Sequence, residues 1–230
     1  MDVVLVAIFL LSVALVLLAQ EDPFVRNALF GRAHYPEWLH AHALRKLFYD
    51  IGIGSLISLI FYALVVRLPE RQKRNRLKKS FANYYREFRE DCIQVMLMVA
   101  DGTFEWGFHK TLVDQDKFRA YFREKLSPSE DRWDAFLNKI DDNQLQSLLT
   151  YMEILRDEIS FVLASIDIAD SEPFEFLKRL SNAITLRKNT TLGYDSTESF
   201  GNFLWDVFAG YSVATGPRER DIIAEMIKAI

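Results

Sequence analysis

Three residues spaced four apart, Asp101, Glu105 and His109, are of the types that bind a metal or move a proton, and on a helix they would share one face. Gly102 and Gly107 lie among them, each costing about 1 kcal/mol inside a helix, so the helix this trio needs is disfavoured. A second set, His34, Glu37, His40 and His42, is also rich in ligand types. His40 and His42 are only two apart, however, and face different sides of a helix. With Pro36, Trp38 and Tyr49 they read as an interfacial helix rather than a metal site. Asp50 is a candidate intramembrane acid for gating or proton handling, with headgroup depth near Lys46 as the plainer placement. Glu153, Asp157 and Glu158 form an acidic group, most simply a solvated or partner-facing edge.

The remaining chemistry is sparse. Cys92 is the only cysteine, so an intrachain disulfide and a Cys-based zinc site are excluded, and it reads as a small buried hydrophobe. There is no Gly-rich phosphate loop, GxSxG, HExxH or Asp-rich calcium loop. His109 is the one histidine beyond residue 42, whereas a di-iron bundle wants a Glu-x-x-His pair from each of two helices. The expectation is therefore no catalytic residue, no metal and no cofactor.

The elements that would position these residues fall into two regions. Residues 3–19, VVLVAIFLLSVALVLLA, hold no charge, and at 1.5 Å per residue they span roughly 26 Å, close to the hydrocarbon layer of a bilayer. Only Met1 and Asp2 precede the run, which favours an uncleaved anchor over a signal peptide. A second apolar run, 48–66, carries its one charge, Asp50, near its start. Its small residues Gly52, Gly54, Ser55 and Ser58 suit close helix packing, against the first span or against another copy of the chain.

Directly behind lies RLPERQKRNRLKK, residues 67–79, with seven cations (Arg67, Arg71, Lys73, Arg74, Arg76, Lys78, Lys79) and one acid, Glu70. Cations are retained on the cytoplasmic side of a span and attract anionic headgroups. The expectation is a two-helix transmembrane hairpin over 1–66 with a short external loop at 20–47, a basic juxtamembrane linker at 67–79, and both termini cytoplasmic. Residues 1–79 hold 11 Lys and Arg against 6 Asp and Glu, while 80–230 hold 17 against 26. An acidic domain would repel phosphates, which argues against a nucleic-acid partner.

From residue 80 the apolar residues recur at helical spacing, predicting an all-α fold with a multi-helix bundle. Phe81, Tyr84, Tyr85, Phe88, Cys92 and Val95 make the first stripe. Ser127, Pro128 and Glu130 form a start signal, Asp141 with Gln144 another, and Gly216-Pro217 is read as opening the last helix. Ser171 and Ser196 are candidate caps for the two helices between. In the long helix from about 142, Leu145, Leu148, Met152, Leu155, Ile159, Val162 and Ile166 form a seam of coiled-coil spacing. Leu149, Tyr151, Ile154, Phe161 and Leu163 widen it toward the central helix of a bundle. Residues 101–109 read as an irregular connector pinning Phe104, Trp106 and Phe108 into the core, and 188–199 as a polar loop. Its Asn189-Thr190-Thr191 matches a glycosylation acceptor, which the cytoplasmic side leaves unused.

The functional expectation is a membrane-anchored, oligomeric interaction protein that recruits or senses a soluble protein partner at the cytoplasmic face. An oligomeric membrane effector or channel subunit is the alternative, and a tethered enzyme using Asp101, Glu105 and His109 the third reading.

Overall fold

The structure is a computed structural model that describes residues 2–19, 42–168, 170–212 and 216–230. Most of the expected external loop, with Glu37, Trp38 and the ligand-type residues His34 and His40, lies outside the described residues. The described chain is mostly helical with a few short strands, and it divides into two compact units, Met1–Lys73 and Arg74–Ile230.

In the first unit, α1 (Asp2–Ala19) packs along α2 (His42–Tyr62), and a π turn follows at Ala63–Arg67. Gly52 marks the close approach: a Cβ there would lie 2.7 Å from Val16 Cγ2 and 3.0 Å from the Ser12 carbonyl oxygen. Ser12 is buried in the same contact and donates its hydroxyl to the Ile8 carbonyl at 2.7 Å. The π turn has a local cause. Pro69 has no N–H and its ring crowds the carbonyl four residues back, and the ladder widens so that the Leu68 N–H reaches Ala63 instead. Counted through this turn, Ala43–Asp101 contains a stretch long and apolar enough to cross a membrane, and Val4–Ala19 is a shorter apolar helix.

The second unit takes in the rest of α3 (Leu68–Asp101), then α4 (Phe108–Thr111), α5 (Gln115–Phe122), a hairpin of β1 (Lys125–Ser127) and β2 (Glu130–Asp131), and α6 (Arg132–Lys139). It continues through α7 (Asp142–Ser165), α8 (Ser171–Thr185), α9 (Tyr194–Ala209), a second hairpin of β3 (Tyr211–Ser212) and β4 (Gly216–Pro217), and α10 (Ile222–Ala229). Its core is a helical bundle centred on aromatic rings. Phe118 and Phe122 lie 4.5 Å apart, Trp133 and Trp205 4.9 Å, and Phe118 and Phe208 5.7 Å. Such pairs each add about 0.5–1.5 kcal/mol beyond the area they bury. The α7 seam from Leu145 to Val162 is buried within this one bundle, as expected of a central helix, although Ile154 and Phe161 on its outer face are exposed. Tyr84 of α3 and Phe174 of α8 likewise turn outward.

Several start signals are displaced. Asp141 and Gln144 do form the expected reciprocal box opening α7, at 2.8 and 2.9 Å. Ser127 and Glu130 instead belong to the first hairpin, with Pro128 in its turn, and α6 starts at Arg132. Asp131 outcompetes Ser127 as the cap because its carboxylate accepts the Asp134 N–H at 2.9 Å and an Arg123 bond at 3.2 Å. Gly216-Pro217 is strand β4, with Gly216 at φ +75°, and α10 opens five residues later on Asp221. Asp170 rather than Ser171 caps α8, and α9 begins at Tyr194 after Gly193, so Ser196 is inside it and the polar loop is shorter than expected.

Candidate functional site

The Asp101, Glu105 and His109 trio is taken apart by its glycines. Gly102 and Gly107 adopt φ of +76° and +89°, left-handed values that end α3 at Asp101 and restart the chain at Phe108. Asp101 turns to the bundle, accepting the Tyr121 hydroxyl at 2.7 Å and Arg132 Nε at 3.1 Å. Burial, reinforced by this bond to Asp101, pushes the Tyr121 phenol up to about 12. Glu105 is exposed. His109 is buried edge-on to Phe104 and Trp106, with Nδ1 lacking a hydrogen-bond partner. Trp106 is 84% exposed, so the connector does not pin it into the core. Among the described residues no three metal-ligating side chains converge. Cys92 is fully buried, which pushes its thiol well above the usual range. Glu153 and Asp157 pair with Arg156 at 3.7 and 2.8 Å, an ordinary surface arrangement, while partial burial raises Glu158.

In the hairpin, Asp50 is exposed. Gly52 is spent on the contact with α1, but Gly54 meets nothing within 4 Å. Gly54, Ser55 and Ser58 line an open groove of about 530 Å³ with Ile8, Ile51 and Leu59. The Ser58 hydroxyl bonds back to the Gly54 carbonyl at 2.8 Å, so it makes no demand on a partner.

The seven juxtamembrane cations divide into groups. Arg71, Lys73, Arg76 and Lys79 are exposed. Arg74 and Lys78, one turn apart, point instead at the end of α10: Arg74 Nε donates to the Ile230 backbone oxygen at 2.5 Å, and Lys78 Nζ donates to the Lys228 carbonyl. Those carbonyls are among the last of α10, which have no partner within the helix and carry the negative end of its dipole.

The other end of α10 is held by a group that pattern reading passed over. Arg89, 2% exposed, places Nη1 2.5 Å from Asp221 Oδ2 and donates Nη2 to the Phe208 carbonyl at 3.0 Å. The Tyr85 hydroxyl donates to the same carboxylate at 3.1 Å, and burial pushes that phenol far above its usual range. Asp221 in turn accepts the Ala224 N–H at 3.0 Å and so caps α10. The one available signal was a charged residue, Arg89, inside an otherwise apolar stripe. A buried cation needs an anion, and Asp221 stands just before the Ile222 stripe.

A second cavity of about 350 Å³ lies along α9, lined by Arg187, Asp195, Glu198, Asn202, Phe203 and Asp206. The Arg187 guanidinium stacks 4.3 Å from the Phe203 ring centre, and partial burial raises the Asp206 carboxyl. Comparison of the chain with known protein families, curated proteins and solved structures finds no match.

Proposed function

We propose that this chain is a membrane-anchored interaction protein: α1 and α2 cross the bilayer, and the bundle recruits or senses a soluble protein partner at the cytoplasmic face. The observation that carries the reading is the apolar surface of α2. Only 6% of its most apolar stretch is buried within the chain, and Ile57, Ile60, Phe61, Leu64 and Val65 are all exposed. A core helix of a water-soluble protein is covered by its neighbours, so a surface of this kind calls for lipid or another apolar cover. Four exposed cations just beyond it in sequence suit the cytoplasmic side. The bundle offers such a partner Ile154 and Phe161, two turns apart on α7 and exposed beside Glu153 and Asp157, which fits a basic segment with apolar anchors.

Because Cys92 is buried, Thr150→Cys adds a single reactive thiol at an exposed position of α7. In intact cells an impermeant maleimide should leave it unlabelled until the membrane is opened, and the chain should float with vesicles. Labelling from outside, or a chain that stays in the supernatant without detergent, refutes the reading. Affinity purification in mild detergent should then yield a stoichiometric soluble partner, and recovery of the chain alone removes the recruiting role.

A second reading, an oligomeric membrane effector, is favoured by the open groove at Gly54, Ser55 and Ser58. Cross-linking in native membranes decides it, since a strictly monomeric chain encloses no pore.

A further inference from the structure

We infer that Arg74 and Lys78 form a phosphate site for anionic lipid headgroups that the last turn of α10 occupies until such a surface displaces it. This rests on the membrane-anchored reading. The two ends of α10 are held differently. At Asp221 the contact is a short ion pair to an arginine 2% exposed, reinforced by Tyr85. At the far end the holders are two cations on solvent-reachable side chains, and their acceptors are backbone oxygens of Lys228 and Ile230 rather than a carboxylate side chain.

The competition is unequal in charge. The end of a helix presents about half an elementary negative charge, whereas a headgroup phosphate presents a full one and several strong acceptor oxygens. Ile227 and Ile230, 1% and 2% exposed, oppose opening, which keeps the turn closed where no anion competes. Arg74 and Lys78 lie eight and twelve residues past Val66, within the stretch over which cations sense the surface of an anionic leaflet. An anionic surface therefore draws on the very cations that close α10, while Arg89 keeps the Asp221 end in place.

The test uses the full chain in lipid nanodiscs, of phosphatidylcholine alone or with phosphatidylserine, and follows amide hydrogen exchange. Amides of the last turn, 227–230, should exchange about 10- to 30-fold faster on the anionic discs, the factor expected from two cations attracted to such a surface. Amides beside the Asp221 cap should change less than about twofold, since their cap is not contested. The double variant Arg74→Gln with Lys78→Gln should show fast exchange on both discs. Should this variant fail to assemble into discs, the single variant Lys78→Gln serves, with the lipid dependence of 227–230 reduced about threefold or more. Equal exchange of the wild-type turn on the two discs overturns the inference while leaving the membrane reading standing. A chain that enters neither disc overturns both. Opening on neutral discs by inorganic phosphate alone overturns the assignment to lipid.

Discussion

The buried pair of Arg89 and Asp221 permits a quantitative test of how the bundle is closed. Asp221→Ala removes the carboxylate 2.5 Å from a guanidinium that is 2% exposed, and it also deletes the cap of α10. Stranding a buried charge costs about 3–5 kcal/mol, and losing a cap costs about 1. The sum, about 4–6 kcal/mol, is a large share of the 5–15 typical of a folded domain. Arg89→Met should cost less, about 1–3 kcal/mol, because Asp221 is 22% exposed and can take water, and because Met fills much of the vacated volume. Combining the two changes should cost well under the sum of the singles, since no charge is then stranded. The assay is urea unfolding of the full chain in detergent, followed by tryptophan emission; Trp133 and Trp205 both sit in the bundle core. With a slope of about 2 kcal/mol per molar urea, Asp221→Ala should lower the midpoint by about 2–3 M. A fall below about 0.5 M, or strictly additive costs in the double variant, would refute the claim that Asp221 neutralises a buried cation.

Gly52→Ala should loosen the α1–α2 contact at a cost of about 1–3 kcal/mol, while Gly54→Ala, with open space around it, should be neutral or stabilising by up to about 1 kcal/mol; disulfide trapping between cysteines introduced in α1 and α2 separates the two. Burial alone would raise the Asp131 carboxyl, but the Asp134 N–H and the Arg123 guanidinium outweigh it and hold it below the ordinary range. Its folded value is depressed, so its contribution is present above about pH 4 and is lost as the pH falls further; Asp131→Asn should flatten the acid limb of the stability profile measured by urea unfolding. Asp101→Ala should cost about 1–3 kcal/mol by stranding Tyr121 and Arg132, and the Tyr121 phenol should titrate lower in ultraviolet absorbance as it loses that acceptor.

What could be read from sequence was local. The Asp141 and Gln144 box lies within one turn and needs nothing else, and the left-handed glycines at 102 and 107 break the same connector that their composition disfavours as helix. The α7 seam was legible because six of its apolar residues are buried in one bundle. The misplaced starts each involve a local signal overruled by a distant or competing partner. Ser127 and Pro128 satisfy the rules for a helix start, yet Asp131 gains Arg123 as well as Asp134, and the chain spends residues 125–131 on a hairpin. Gly216-Pro217 likewise loses to Asp221, whose partner Arg89 is 132 residues away. No window of a dozen residues contains that information.

The juxtamembrane cations show the same limit in energetic terms. Counted by composition, seven charges at about 1 kcal/mol each would bind an anionic leaflet with about 7 kcal/mol. Four of them are exposed in the structure, so their share is nearer 4 kcal/mol. Arg74 and Lys78 meet α10 in an order that fixes its direction: residue 230 meets 74, residue 228 meets 78, and residue 221 meets 89. The two helices are therefore antiparallel there. Fifteen residues of α3 rise about 22 Å and nine residues of α10 about 14 Å. The long side chains of Arg74 and Arg89 make up the difference by leaning toward each other along the axis. A shorter cation at either place would leave an end of α10 open, which is why a charge count alone could not tell a lipid contact from a helix clamp.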